Sequence, residues 1–134
     1  MNLKGVRVLL VEDEPDSREV LAFILEYCGA EVATAASVPE AMELFDRAQP
    51  SVLVSDISMP GEDGYGLIRR VRDRTPAAGG TVPAVAVTAF RYEHNRDRCL
   101  SAGFQEYLSK PVDPDVLCNT VSNVAGLRAA SPPE

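Results

Sequence analysis

The fold is decided by one stretch of sequence, Val6-Arg7-Val8-Leu9-Leu10-Val11-Glu12-Asp13-Glu14-Pro15. Its first six residues are apolar except for Arg7, and three acidic residues and a proline follow. A nearly continuous apolar run is typical of a strand that is covered on both faces of a parallel sheet. Proline is favoured in the first turn of a helix. The stretch therefore predicts a central strand, an acidic loop and a helix, which begins an alternating α/β fold.

The alternation of strand and helix continues along the chain. Four further strands are predicted, at residues 31–36, 52–54, 82–87 and 105–108. The second and fifth strands are mixed in polarity and are expected at the edges, whereas the other three are apolar and central. This pattern predicts a doubly wound, five-stranded parallel sheet in the order 2-1-3-4-5. Right-handed crossovers would place helices on both of its faces.

The helices carry recognisable start signals and apolar faces. Ser37 with Glu40 has the spacing of a capping box, and Asp113 precedes a proline in the first turn of the last helix. The first helix is expected to bury one face, with Leu21 and Leu25 beside it. That face carries Val20, Ile24, Tyr27 and Cys28.

The cysteines and the single histidine offer no chemistry of their own. Cys28, Cys99 and Cys118 lack a C-x-x-C spacing and cannot all pair with one another, so we expect reduced thiols in the core. His94 is expected to be a solvated residue at the polar start of a helix.

Polar residues stand where the predicted strands end. They are Glu12 and Asp13 after the first strand, Asp56 after the third, Thr88 after the fourth and Lys110 after the fifth. In an open parallel sheet the ligand site lies beyond the carboxyl ends of the strands, where the strand order reverses. Carboxylates, a hydroxyl and an ammonium in one place can hold a hard cation and a phosphoryl group.

Length and composition exclude several classes of function. A chain of 134 residues is one domain by size. Its net charge of −7 argues against direct binding of nucleic acid, because no basic excess is available to displace counterions. No apolar run is long enough for membrane insertion, and no secretory signal opens the chain, so a cytoplasmic location is expected. Neither a phosphate-binding loop ending in Gly-Lys-Ser/Thr nor a G-x-G-x-x-G motif is present.

Four strings in the sequence, each at a predicted strand end, resemble the receiver domain of bacterial two-component response regulators. They are Leu-Leu-Val-Glu-Asp-Glu-Pro, Ser-Asp-Ile-Ser-Met-Pro-Gly-Glu-Asp-Gly, Val-Thr-Ala and Tyr-Leu-Ser-Lys-Pro. The second half of the chain is similar to receivers attached to hybrid histidine kinases. The resemblance implies a flavodoxin-like receiver fold over residues 1–127, with 128–134 as a flexible tail or linker stub.

The resemblance also implies roles for the residues at the strand ends. Asp56 would be the phosphoacceptor, which agrees with the chemistry of a cation-assisted carboxylate nucleophile. Asp13 and Asp56 would be carboxylate ligands of Mg²⁺, with Glu12 bound directly or through water and the backbone carbonyl of Ser58 as a further ligand. Mn²⁺ could substitute for Mg²⁺. Ser58, like Phe90, stands where side chains influence how fast water attacks the acyl phosphate.

Three further residues, Lys110, Thr88 and Tyr107, complete the implied switch. Lys110 would pair with one phosphoryl oxygen, and the Thr88 hydroxyl would donate to another. Thr88 and Tyr107 would then move and reshape the face formed by the fourth helix, fifth strand and fifth helix. The resemblance also implies a cis bond between Lys110 and Pro111, which aims the lysine inward.

The predicted function is a phosphoacceptor signalling switch in a phosphorelay, and not a metabolic enzyme. The phosphoryl group would come from the phosphohistidine of a histidine kinase or a histidine phosphotransfer protein. A downstream protein target would bind the face that the switch reshapes. Neither direct nucleic-acid binding nor membrane insertion is expected.

Two alternatives use the same residues differently. One is a binding module that has the receiver fold and no need of phosphate. The other is a phosphatase of the haloacid dehalogenase type, but that family requires a second aspartate two residues after the nucleophile, where Ser58 stands. At the level of single residues, the segment 12–14 could be an acidic helix start favoured by the helix dipole, Asp56 a turn former and Tyr107 an edge-strand aromatic.

Overall fold

Five strands and five helices alternate in the computed structural model, which describes residues 3–89 and 95–129. The strands are β1 (Arg7–Val11), β2 (Glu31–Ala35), β3 (Val52–Ser55), β4 (Ala84–Ala89) and β5 (Glu106–Lys110). The helices are α1 (Pro15–Tyr27), α2 (Val38–Ala48), α3 (Gly64–Arg72), α4 (Arg96–Ala102) and α5 (Pro114–Ala129), and a 3-10 turn at Pro76–Ala78 lies between α3 and β4. The predictions for Phe90 and His94 fall outside the described residues.

The sheet has the predicted topology. All strand pairs are parallel and the order is β2-β1-β3-β4-β5, so the two mixed strands are at the edges. One core packs on the face covered by α2, α3 and α4, and a second core packs on the face covered by α1 and α5. Helices therefore cover both faces, as predicted, and the carboxyl ends of β1, β3 and β4 meet at one edge.

Helix starts follow the predicted capping chemistry. The Ser37 hydroxyl accepts from the Glu40 amide at 3.3 Å, and the Glu40 carboxylate accepts from the Ala36 amide at 2.7 Å. The Asp113 carboxylate accepts from the amides of Asp115 and Val116 at 2.8 and 3.1 Å. These bonds satisfy amide groups that have no partner within the first turn of a helix.

The buried face of α1 agrees with the prediction only in part, because Ile24 and Cys28 pack against the core and Val20 and Tyr27 are exposed. Leu21 and Leu25 are buried, whereas Val20 is 57% exposed and Tyr27 is 83% exposed. Phe23, which stacks on Tyr27 with ring centroids 6.2 Å apart, is 66% exposed. The centre of the helix has consecutive apolar residues, so its pattern does not specify which stripe meets the sheet, and tertiary packing selects the leucines.

The end of the chain is described as far as Ala129, where α5 ends. The division between a domain at 1–127 and a tail at 128–134 remains a prediction. Across residues 3–89 and 95–129, no helix combines the length and the apolar character needed to cross a membrane.

Candidate functional site

The sheet register brings the acidic loop after β1 next to the end of β3. Val11 pairs with Ser55, and the Asp56 amide donates to the Val11 carbonyl at 3.0 Å. On the other side, the Glu12 amide donates to the carbonyl of Ala35 at 3.0 Å. These backbone bonds hold Glu12 and Asp56 side by side at the carboxyl edge of the sheet.

Three predicted carboxylates form one cluster. Glu12, Asp13 and Asp56 each offer an oxygen, and these oxygens lie within 4.8 Å of one another. Glu12 is 1% exposed and Asp56 is 7% exposed, while Asp13 is half-buried. An all-oxygen set of this kind suits a hard divalent cation such as Mg²⁺.

Lys110 supplies positive charge to the cluster. Its ammonium donates to Asp56 Oδ2 at 2.9 Å and to Glu12 Oε1. Three carboxylates facing one ammonium leave an excess of negative charge, which a divalent cation can compensate. The bond between Lys110 and Pro111 is cis, as the resemblance implied.

Burial and the contact between Lys110 and its carboxylates have opposite effects on the pKa values of Glu12 and Lys110. Burial raises the pKa of Glu12, and the charge of Asp56 adds to this effect, although Lys110 and the Glu14 amide oppose it. For Lys110, burial works against the charged form, but the bonds to Glu12 and Asp56 outweigh it and raise the pKa of the lysine. Lys110 therefore stays positively charged in the site.

The two oxygens of Asp56 have different environments. Oδ1 accepts from the amides of Ile57 and Ser58 at 2.6 and 3.2 Å, whereas Oδ2 faces Lys110. Asp56 thus bonds to its own following backbone, as a turn former does, and also takes part in the cluster. Ser58 itself is exposed, and the proposed role of its carbonyl remains a prediction.

Two glutamates of the acidic loop, Glu12 and Glu14, have different roles. Glu14 caps α1, because its carboxylate accepts from the amides of Asp16 and Ser17 at 3.0 Å each. The Glu12 carboxylate instead accepts from Lys110, from the Glu14 amide at 3.1 Å and from the Ser17 hydroxyl at 3.1 Å. The interpretation as an acidic helix start therefore holds for Glu14 and not for Glu12.

Sequence reasoning missed three supporting residues. The Ser17 hydroxyl orients Glu12, and the Arg18 guanidinium donates to the carbonyls of Glu12 and Asp13 at 2.8 and 3.3 Å. Their position in the sequence could have indicated this role, because Ser17 and Arg18 are polar residues in the first turn of the helix that follows the acidic loop. Such side chains can reach back to a preceding strand end.

The third missed residue is Gly64, the first residue of α3. A Cβ atom there would lie 2.4 Å from the Asp56 carbonyl oxygen and 2.8 Å from the Ile57 Cα atom. The Gly64 amide donates to the Ile57 carbonyl at 2.9 Å. Glycine therefore allows α3 to begin directly against the backbone that carries Asp56. The sequence showed only a turn signal at this position.

Thr88 and Tyr107 are on one face of the sheet. Thr88 lies within β4 and not after it, because the strand extends to Ala89. In the register, Ala86 pairs with Tyr107, and alternation places the side chain of Thr88 on the same face. Thr88 Oγ1 and the Tyr107 hydroxyl are buried without a hydrogen-bond partner among the described residues. Burial also raises the pKa of Tyr107.

A parallel sheet in this order, with an oxygen-lined cluster at its carboxyl edge, defines a doubly wound α/β protein with its site at the topological switch point. The family model for the response regulator receiver domain matches residues 8–122. The chain belongs to that family. Receiver domains are signalling domains of two-component systems that interact with histidine kinases or phosphotransfer proteins, and the family binds Mg²⁺ in its acidic site.

Individual relatives agree with this assignment. The chain is 46% identical over 112 residues to an uncharacterized 14.6 kDa protein in the sodA1 3' region of Leptolyngbya boryana, covering 84% of each. It is 36% identical to the sensor histidine kinase RcsC of Salmonella typhimurium, over 86% of this chain but only 12% of the kinase. Together with the family match, the match to RcsC confirms the resemblance to receivers, including those of histidine kinases.

A solved structure supports the fold and bears on the metal. It is the receiver domain of the sensor histidine kinase PA1611 from Pseudomonas aeruginosa, with a TM-score of 0.81 and 31% identity over 91% of this chain and 98% of that one. That receiver has a magnesium ion coordinated in its active-site cleft.

Proposed function

We propose that this chain is a phosphoacceptor switch in which Asp56 receives a phosphoryl group and later loses it to water. The donor is the phosphohistidine of a histidine kinase or a histidine phosphotransfer protein. The observation that carries the proposal is that the Lys110 ammonium bonds both Asp56, at 2.9 Å, and Glu12, while an oxygen of Asp13 lies within 4.8 Å of oxygens of these two carboxylates. A cytoplasmic location remains a prediction.

The carboxylate cluster fits a magnesium ion. Glu12, Asp13, Asp56 and the carbonyl of Ser58 would hold it, and Mn²⁺ could substitute. The bound cation would neutralise charge on the phosphoryl oxygens. No histidine or cysteine belongs to the cluster found among the described residues, so its chemistry is that of hard oxygen ligands.

In the transfer itself, an Asp56 oxygen forms a bond to phosphorus as the phosphorus–nitrogen bond of phosphohistidine breaks. Backbone amides hold Oδ1, whereas Oδ2 is bonded, among the described residues, only by the side chain of Lys110. We therefore infer that Oδ2 attacks and that the Lys110 ammonium moves to a phosphoryl oxygen. The electron pair of the broken bond returns to the histidine nitrogen.

The switch is expected to use the two unpaired hydroxyls. Thr88 Oγ1 gains an acceptor when a phosphoryl group arrives at Asp56, and its movement frees space that Tyr107 can use. A buried hydroxyl without a partner is unfavourable, so a new bond shifts the population toward the phosphorylated arrangement. The face formed by α4, β5 and α5 would then bind a downstream protein target.

The donor has an apolar surface available next to the site. An open groove of about 460 Å³ lies between α1 and the segment after β5, and Lys110 is part of its wall. Its apolar lining consists of Val20, Leu21, Ile24, Pro111 and Val112. Because Lys110 also contacts Asp56, a helix of the phosphohistidine-bearing protein seated here would bring its histidine to the acceptor. Val20, in the lining, is 57% exposed.

The proposal is tested by incubating the protein with Mg²⁺ and phosphoramidate, a small donor with a phosphorus–nitrogen bond, and recording intact mass. Addition of a single phosphoryl group that requires the metal supports the switch. The two alternatives give other results. A phosphatase of the haloacid dehalogenase type would release phosphate from p-nitrophenyl phosphate over many turnovers, and a phosphate-independent binding module would gain no mass.

A further inference from the structure

Two cysteines that are distant in sequence lie in contact on the face of the sheet covered by α1 and α5. Cys28, at the end of α1, and Cys118, in α5, have their sulfur atoms 2.7 Å apart. They are 90 residues apart in the chain. Both are free thiols in this structure. A disulfide bond is about 2.05 Å long, so closing the pair requires less than an ångström of sulfur movement.

The two thiols differ in exposure. Cys118 is 1% exposed, whereas Cys28 is half-buried. Burial raises the pKa of Cys118 to about 12, and its contact with Cys28 adds to the shift. Cys118 therefore stays protonated and shielded, while Cys28 is the sulfur that a small oxidant reaches first.

The third cysteine provides an internal comparison. Cys99 is buried in the core on the opposite face of the sheet, where its sulfur lies 3.8 Å from the Tyr65 hydroxyl. Cys28 and Cys118 both belong to the core covered by α1 and α5. The sheet thus separates Cys99 from the pair. Within one chain, Cys28 can therefore form a disulfide bond only with Cys118.

We propose that Cys28 and Cys118 are a peroxide-sensitive dithiol that closes to a disulfide linking α1 to α5. The Cys28 thiolate attacks a peroxide oxygen, which breaks the oxygen–oxygen bond and gives a sulfenic acid and a hydroxide ion. The hydroxide takes up the proton that the Cys28 thiol released, which forms one water. The Cys118 thiol then attacks the Cys28 sulfur, the sulfur–sulfur bond forms, the sulfur–oxygen bond breaks, and the sulfenic hydroxyl leaves with the Cys118 proton as a second water. The two thiols lose two hydrogens and two electrons to hydrogen peroxide, and an external dithiol reverses the reaction.

The consequence is mechanical and does not depend on the proposed function at Asp56. The bond joins two helices that cover one face of the sheet and encloses a long loop of chain, so it restricts the unfolded state. It also fixes α1 relative to α5, beside the groove whose wall includes Ile24 and Lys110. Oxidation should therefore stabilise the domain and hold that groove in one shape.

The test uses the full chain, reduced with a phosphine, freed of reductant and exposed to hydrogen peroxide. The intact mass should fall by about 2 Da, the mass of two hydrogens. Iodoacetamide added in denaturant should then modify one cysteine, compared with three in the reduced protein. Peptide mapping should find Cys28 joined to Cys118, and Tm should rise by roughly 10 °C and return with dithiothreitol.

Two variants control the measurement. Cys99→Ser should still close the bond, and Cys118→Ser should not, its Cys28 proceeding to higher oxidation states or to intermolecular dimers. The proposal is overturned if the wild-type chain keeps three alkylatable thiols under peroxide. It is equally overturned if mapping finds Cys28 as a sulfinic acid beside a free Cys118.

Discussion

The ammonium of Lys110 and the carboxylate of Asp56 are in direct contact, at 2.9 Å, although β4 lies between the strands that lead to them. Lys110 is the last residue of β5, which is an edge strand of the sheet. Asp56 directly follows β3, which is the central strand. The lysine side chain therefore reaches over the carboxyl end of β4. Any new charge on Asp56 acts directly on β5, the strand that carries Tyr107.

Replacing Lys110 by methionine should lower stability in the absence of metal. The change leaves Glu12 and Asp56 as neighbouring buried carboxylates without their counter-charge. The side chain of Lys110 is 24% exposed, so the loss should be modest, about 1–2 kcal/mol in the free energy of unfolding. Urea denaturation in EDTA measures it, with Lys4→Met at an exposed position as the matched control. Equal stability of the two variants would contradict the role of the contact.

Magnesium should stabilise the protein through the carboxylate cluster. Binding to the folded state alone adds RT ln(1 + [Mg²⁺]/Kd), which is about 2.7 kcal/mol at a hundredfold excess over Kd. Thermal denaturation with increasing MgCl₂ should show a rising Tm, and EDTA should reverse it. Asp13→Asn should reduce the rise strongly because it removes one ligand. Asp16→Asn, on the neighbouring helix turn, should leave it intact; a similar loss in both variants would indicate general charge screening.

The close approach of α3 to the backbone of Asp56 requires glycine at position 64. Gly64→Ala should destabilise the protein by about 2–4 kcal/mol, because its Cβ would overlap the backbone at Asp56 and Ile57. It should also lower the rate of Asp56 phosphorylation by displacing the carboxylate. Gly126→Ala is the matched control, since that Cβ meets nothing within 4 Å and a helix favours alanine over glycine. Urea denaturation should give shifts of opposite sign for the two variants.

Removing the unpaired hydroxyl of Thr88 should impair signalling without lowering the stability of the fold. Thr88→Val removes a buried hydroxyl that has no partner among the described residues, so the free energy of unfolding should stay equal or rise by about 1 kcal/mol. The variant should nevertheless fail to transmit the bound state to Tyr107.

Amide chemical shifts measured with the beryllofluoride mimic of a phosphoryl group test this transmission. In the wild type, shifts should extend from Asp56 to Tyr107, whereas in Thr88→Val they should stay near Asp56. Shifts that still reach Tyr107 in the variant would show that Thr88 is not the link.

The strand-end residues were predictable from sequence for a geometric reason. Parallel strands present their carboxyl ends at one edge, so Glu12, Asp56 and Lys110 had to converge once five strands were recognised. The apolar or mixed character of each strand also indicated which strands lie at the centre of the sheet and which lie at its edges. The roles of these residues as phosphoacceptor and metal ligands remain predictions.

Other features depend on tertiary contacts that a linear pattern does not contain. The exposed side of α1 could not be predicted, because Val20 and Leu21 are equally apolar and only packing distinguishes them. Gly64 looks like any turn glycine until the backbone of Asp56 is seen beside it. The meeting of Cys28 with Cys118 is likewise set by how α1 and α5 lie on the sheet, and their sequence spacing carries no trace of it.

The central claim is that Asp56 is the phosphoacceptor, and intact mass with peptide mapping after treatment with acetyl phosphate and Mg²⁺ tests it most directly. One phosphoryl group should be added and should map to Asp56. It should be absent when EDTA is added before the acetyl phosphate and absent from Asp56→Ala, while Asp63→Ala, at the cap of α3, should still accept it. A wild-type chain that gains no phosphoryl group, or one whose added group persists in Asp56→Ala, would contradict the account.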